Sequence, residues 1–239
     1  MFPKIIVTGY GPFRDIVDNP SDLIAKNVTA QIQDPTSKLF KAFANGSVAN
    51  RTVAVSHEGL GEFYSDTKEL IESENLTHIV HVGVSAASTK VNFETIAFNV
   101  TADSGLAQYL AKQRAGMVGS GSDDKEAEDV AGGKIDSSNH ALDLLPTTFP
   151  VHRHEFHDYI QLNNATTSWS RDAGWYYCNE IFYSSVLLAR KLRRDNKSRP
   201  LIKVIFVHVP LAEVLSIQTC ADLIVGFLEV DASLSKVEE

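Results

Sequence analysis

Apolar and polar positions alternate along this chain in blocks of two lengths. "KIIVTGYGPF" is a short apolar run that ends in a Gly/Pro turn, the pattern of a buried strand. "NPSDLIAKNVTAQI" follows with apolar residues at helical spacing, and Asn19 or Ser21 stands where a cap belongs. "RTVAVSH" reads as a second strand. "GLGEFYSDTKELIESEN" is amphipathic, with Phe63, Thr67, Leu70 and Ile71 on one face. "THIVHVGVS" and "NFETIAFNV" are two further apolar strands. "WYYCNEIFYSSVLLARKLRR" carries Ile181, Phe182, Val186, Leu187 and Leu188 at helical spacing, with Asp172 as its expected cap. The strongest strand is "LIKVIFVHVP", which leads through Pro210 into the long helical pattern "LAEVLSIQTCADLIVGFLEV".

Strands alternating with helices predict an α/β fold, a mostly parallel twisted sheet covered on both faces. The expected architecture is a three-layer α/β/α sandwich of the phosphorylase/hydrolase kind. Functional sites in such sheets lie at the carboxyl ends of strands. A length of 239 residues suits one domain with a full core. The stretch "MVGSGSDDKEAEDVAGGK", residues 117–134, breaks the pattern. It is rich in Gly, Ser and acids and buries too little apolar surface to offset the entropy of ordering. It is expected to be a mobile insertion within that single domain.

The formal net charge of −8 removes any global electrostatic reason to bind nucleic acid. The basic cluster "ARKLRRDNKSR" falls at an expected helix end, where cations complement the dipole. No apolar run is long enough to span a membrane, and the first residues do not read as a secretory signal. Without such a signal, sequons such as Asn27-Val28-Thr29 and Asn99-Val100-Thr101 read as chance. Two cysteines make no disulfide framework. The expected compartment is a reducing cytoplasm, where both remain free thiols.

Candidate chemistry is sparse. "GYGPF" is not a phosphate-cradling G-x-G-x-x-G, because Arg14 occupies the last glycine's place. It displays Tyr10 and Phe13 at a strand end, as core or as the wall of an apolar pocket. "HRHEFH" offers His152, His154 and His157, but it is not an H-E-x-x-H and has no cysteine companion, so it reads as a solvated stretch and no metal is expected. Cys178 falls in the first turn of a helix, where unpaired N–H groups and the dipole favour an anion. Position alone leaves two readings open, a thiolate and an inert buried thiol. Cys220, mid-helix in an apolar pattern, reads as inert. A nucleophilic cysteine needs a base and the base an orienting group. His208 ends the strongest strand. Glu94 lies inside an apolar strand, where a carboxylate is costly unless paired.

These residues, with the words around them, resemble the pyroglutamyl peptidase I family, cysteine peptidases that remove N-terminal pyroglutamate. "VTGYGPF" followed by "NPS" resembles the family's N-terminal signature, "VHVGVS" with "NFETIAFN" the segment of its glutamate, "DAGWYYCN" its nucleophile motif and "FVHVP" its histidine motif. The resemblance spans about residues 5–215 and implies Cys178 as nucleophile, His208 as base and Glu94 as orienting acid. It implies that Tyr10 and Phe13 sandwich the lactam, that Tyr176 and Tyr177 close the wall, and that no metal or organic cofactor is needed. The glutamine that many bacterial members carry after the third strand is replaced here by Val84-Ser85, which leaves lactam recognition to backbone groups. The bacterial-type arginine after the glutamate segment is not evident in "NVTADSGLA". "LPTTFPVH" resembles the family's loop near the substrate. The implied partners are peptides with N-terminal pyroglutamate, and a homo-oligomer is open because the family includes monomers and tetramers. Two rival readings are a nucleoside phosphorylase-like transferase and a non-catalytic binding module on the same scaffold.

Overall fold

The computed structural model describes residues 4–13, 16–43, 45–101, 134–135 and 143–235. All but Lys134 of the acidic stretch at 117–134 lies outside them. The strands among the described residues are β1 (Ile5–Tyr10), β2 (Val48–Val53), β3 (His78–Val84), β4 (Val91–Glu94), β5 (Ile96–Phe98), β6 (Leu144–Pro146), β7 (Thr167–Ser170) and β8 (Lys203–Val209). The helices are α1 (Pro20–Gln33), α2 (Lys38–Ala42), α3 (His57–Glu72), α4 (His154–Leu162), α5 (Tyr177–Asp195) and α6 (Ile217–Ser235).

Six strands form one sheet in the order β2-β1-β3-β8-β4-β7. The first four run parallel. β4 turns antiparallel to β8, and β7 runs parallel to β4. β1, β3 and β8 are apolar on both faces because helices cover both. Alternate residues sort the core. Ile5, Val7, Val80, Val82, Ile205 and Val207 meet α1, α4 and α6, while Ile6, Ile79, Val204 and Phe206 meet α3 and α5. This is the three-layer α/β/α arrangement. No helix among the described residues is long and apolar enough to cross a membrane.

α1 begins as its sequence dictates. Asn19 is the cap, its side chain accepting from the Ser21 N–H, and Pro20 occupies the first helical position. The helix crosses β1 so closely that a Cβ on Gly9 would lie 2.4 Å from Asp22 Cα, so only glycine fits. Arg199, from the basic cluster, does not serve its own helix. Its buried guanidinium donates to the carbonyls of Ile71, Glu72 and Ser73 and closes the end of α3.

Three details differ from the sequence expectations. "NFETIAFNV" is two strands, because Thr95 turns both its N–H and its hydroxyl onto Ser170 O and the chain changes partner. The last helix starts at Ile217, not near Leu211, because Ser216 Oγ accepts the Thr219 N–H and sets the start there. Asp172 does not cap α5. Its Oδ1 accepts from the Gly174 N–H, and Gly174 in the left-handed region (φ 79°) adds a loop before the helix begins at Tyr177.

At the amino end of the sheet, Asp231 of α6 is buried between Lys203 Nζ, at 2.7 and 2.8 Å, and His78 Nε2, at 2.9 Å. Burial pushes its carboxyl up, but the hydrogen bonds and charges of His78 and Lys203 outweigh this and hold it below the usual range. A depressed carboxyl stabilises the fold above its unfolded pKa, about 4, and that share is lost as pH falls through the folded value. Urea unfolding of Asp231→Ala at pH 7 is expected to show a loss of about 3–5 kcal/mol, because the Lys203 ammonium loses its counter-charge and the buried His78 imidazole, pulled down by burial, loses its hydrogen-bond partner. The gap to wild type should narrow as pH falls below about 4.

Candidate active site

The site stands on one row of side chains across the sheet. Thr8 pairs with His81, and Gly83 pairs with His208. Two residues on from Thr8, Tyr10 therefore stands level with Gly83. Asn92 on β4 faces His208 from the other side. The row Tyr10–Gly83–His208–Asn92 lies at the carboxyl ends of β1, β3 and β8, and α5 begins directly above it.

Cys178 is the second residue of α5, half-buried. No side chain caps this helix start. Its sulfur rests over the middle of the row, since a Cβ on Gly83 would come 3.1 Å from Sγ and 2.6 Å from Phe206 Cζ. Glycine at this position is what lets the helix start approach the strand. Asn179, the next residue, anchors the helix from outside the sheet. Its Oδ1 accepts from Phe98 N at 2.8 Å, and its Nδ2 donates to the carbonyls of Phe98 and Val100. One row deeper, Thr8 Oγ1 meets His81 Nδ1 at 2.8 Å and His81 Nε2 meets Ser185 Oγ at 2.9 Å, tying β1, β3 and α5 together. Burial pushes His81 down to about 3, so this link is a neutral imidazole.

His208 is buried, with Nδ1 2.8 Å from Glu94 Oε1. Glu94 is 1% exposed, and its Oε2 accepts from the Asp172 N–H at 3.2 Å. β4 being antiparallel, Glu94 ends its strand one row below His208 and reaches up to it. The imidazole lines the same cavity as the Cys178 thiol. Burial pulls His208 down, yet the hydrogen bonds to Cys178 and Glu94, and then their charges, push it up to about 10. Cys220 is fully buried, and desolvation pushes its thiol up to about 12.

In front of the sulfur lies a cavity of about 250 Å³. Tyr10, Phe13, Val84, Tyr176 and Tyr177 all line it, together with Cys178, His208 and Glu94. Tyr10 is a buried wall, 3% exposed, and Tyr176 stands at the mouth, 43% exposed. Sequence reasoning missed the polar lining of Ser85, Asn92, Ser170 and Asp172, and took Asn19 only as a cap. Asn19 also donates to Gly11 O at 2.9 Å and so shapes the loop that carries Phe13. Strand alternation held a signal for Asn92, which shares a face with Glu94. "LPTTFPVH" is not near the cavity. Thr147 and Thr148 donate to the carbonyls of Val204 and Ile202, at the opposite end of β8 from His208. Of "HRHEFH", His154 opens α4 and His157 lies within it. Among the described residues no group of three His, Cys, Asp or Glu is arranged to hold a metal.

No family model matches the chain. A curated relative, a pyrrolidone-carboxylate peptidase of Thermosipho melanesiensis, is 26% identical over 216 residues, covering 87% of this chain and 83% of the relative. The pyrrolidone carboxyl peptidase of Thermus thermophilus superposes with a TM-score of 0.57 at 20% identity, over 95% of this chain and 97% of that one. Pyroglutamyl peptidase I of Bacillus amyloliquefaciens gives 0.57 at 19% identity, over 98% and 94%. The chain shares the fold of the pyrrolidone carboxyl peptidases. A variant of the Pyrococcus furiosus pyrrolidone carboxyl peptidase likewise matches over 98% of both chains with a TM-score of 0.59. Within the pyrrolidone carboxyl peptidase fold, the cavity described above occupies the carboxyl ends of the parallel strands.

Proposed function

We propose that this protein is a cysteine peptidase that hydrolyses the amide bond after an N-terminal pyroglutamyl residue and releases free pyroglutamate. One observation carries the reading: Cys178, His208 and Glu94 line one small cavity with aromatic walls, and His208 Nδ1 is bonded to Glu94. The likeness to named pyrrolidone-carboxylate peptidases supports it. The Cys178 sulfur attacks the pyroglutamyl carbonyl after His208 has taken its proton, or from an ion pair already formed with His208. His208 then gives its proton to the leaving amine. Glu94 holds the imidazole by Nδ1 and stabilises its charged form. The N–H groups at the start of α5 face the developing oxyanion. Water releases pyroglutamate from the thioester, with His208 now acting as base.

A neutral lactam suits walls made of Tyr10, Phe13, Val84, Tyr176 and Tyr177. A site that hydrogen-bonds the lactam carbonyl rejects proline, which lacks it, by leaving buried polar groups unpaired. The partners are peptides bearing N-terminal pyroglutamate. The reduced protein is expected to turn over a fluorogenic pyroglutamyl amide and to leave the matching prolyl amide untouched, by a factor of about 10⁴. A folded, reduced protein that cleaves neither amide would overturn the reading.

A further inference from the structure

The two ends of the cavity differ in chemistry. Tyr10 and Phe13 stand at its β1 end, and the Tyr10 hydroxyl donates to the Tyr177 carbonyl at 3.2 Å, which keeps Tyr177 at that end as well. Ser85, Asn92, Ser170 and Asp172 line the other end, towards β4 and β7. Cys178 and His208 lie between them. The row across the sheet continues past Asn92, which pairs with Ser168 on β7. Beyond Asn92 a second cavity of about 330 Å³ opens, lined by Ser85, Ser88, Thr89, Lys90, Asn92 and Ser168. Ser85 and Asn92 belong to both linings, so the two spaces adjoin. Hydrogen bonds tie the second lining together. Asn92 Nδ2 donates to Ser88 Oγ at 2.9 Å, and Asn92 Oδ1 accepts from Ser168 Oγ at 2.5 Å. Among its described lining residues only Lys90 is charged, and its ammonium donates to a neutral carbonyl, Asn164 O, which fixes the charge without cancelling it.

We propose that the leaving peptide runs from His208 over Asn92 into this polar groove, and that Lys90 makes the groove select peptides with a carboxylate about three residues past the scissile bond. The inference rests on reading the site as that of a pyroglutamyl peptidase. A neutral lactam fits the aromatic end, and the bond that breaks must lie at the Cys178 sulfur. The leaving amine must meet His208, its proton donor, so the chain behind it has the β4 end to enter. Neighbouring strands lie about 4.8 Å apart, which places Ser168 on β7 roughly 10 Å across the sheet from His208 on β8. An extended chain covers roughly 3.3 Å per residue, so about three residues span that distance. The hydroxyls and the Asn92 amide offer hydrogen bonds to a peptide backbone, and the lining holds no large apolar side chain. The carboxylate is an acidic side chain or the peptide's own terminus.

The test measures kcat and KM for release of pyroglutamate from paired peptides by the reduced protein. Pyroglutamyl-Ala-Ala-Glu amide against pyroglutamyl-Ala-Ala-Lys amide compares side chains. Pyroglutamyl-Ala-Ala-Ala free acid against its amide compares termini. Wild type is expected to favour the acidic member of at least one pair by about fivefold in kcat/KM, carried by KM, the size of a solvated ion pair set against its loss or reversal. A preference in the first pair alone assigns the carboxylate to a side chain, and in the second alone to the terminus. Lys90→Gln keeps the stem and an N–H donor for Asn164 O, and should bring the ratio near one. Lys90→Glu should reverse it. Equal kcat/KM within both pairs overturns the proposal, as does a preference that survives in Lys90→Gln. A preference for the basic peptide overturns it too, and would assign selectivity to Asp172, the carboxylate on the first cavity's polar side. In each of these cases turnover of a small pyroglutamyl amide leaves the peptidase reading standing. A folded protein that cleaves neither that amide nor any of the peptides removes the reading and this proposal together.

Discussion

Cys178→Ala is expected to fold normally and to release pyroglutamate at least about 10⁴-fold more slowly than wild type. The loss follows from chemistry and not from packing. The Cβ stays, the neighbours Gly83 and Phe206 are untouched, and only a half-buried sulfur is removed. In the proposed mechanism, what remains is the cavity and an imidazole with nothing to activate. The measurement is kcat on the pyroglutamyl amide, beside a thermal melt showing a Tm close to that of wild type. Residual turnover near the wild-type level would require another nucleophile. Cys220 is a poor one, being fully buried with its thiol pushed up to about 12.

Glu94→Gln carries the second large effect, and its sign is set by His208. In wild type the imidazole is raised to about 10, first against the opposing pull of burial, by Cys178 and Glu94. In the proposed mechanism the leaving amine takes its proton from that imidazolium, so activity should fall as pH rises through about 10. Removing the Glu94 charge leaves burial less opposed, and the alkaline limb moves to lower pH. At pH 8 the variant should lose about 10²–10⁴-fold in kcat/KM, the range for general acid catalysis, while KM for the small amide changes little. A pH–rate profile of both proteins measures the limb directly. The same pair contributes to stability. A histidine raised by its partners stabilises the fold fully below its unfolded value, and the contribution is lost as pH rises through the folded one. Glu94→Gln should therefore lose stability at neutral pH and approach wild type above about pH 10.

How far the sequence carried these conclusions differs from element to element. β1, β3 and β8 were legible because strands covered on both faces are mostly apolar, as "IIVTGY" and "VIFVHV" show. α5 was legible because its apolar residues repeat at helical spacing ahead of a basic end. Its first residue was not, because the start depends on how the Gly174 loop turns. The break at Thr95 was hidden as well. It arises from Ser170, seventy-five residues away, and no local pattern encodes such a partner. The three central site residues were visible as oddities: a carboxylate in an apolar strand, a histidine ending one, and a cysteine opening a helix. Their distances were not visible, since these follow from register between β3, β8 and β4. Ser85 and Ser170 carried no distinguishing type, and they acquire meaning only through the wall they share.

The small hairpin of β5 and β6 has an evolutionary consequence. Phe98 pairs with Leu144, so the two ends of the long stretch between them are clasped together at the sheet's margin. The Asn179 side chain fastens the Phe98 end to the helix of the nucleophile. What a lineage must inherit to keep Cys178 in place is therefore the clasp itself, Phe98 with Leu144, and the Asn179 amide that fastens it.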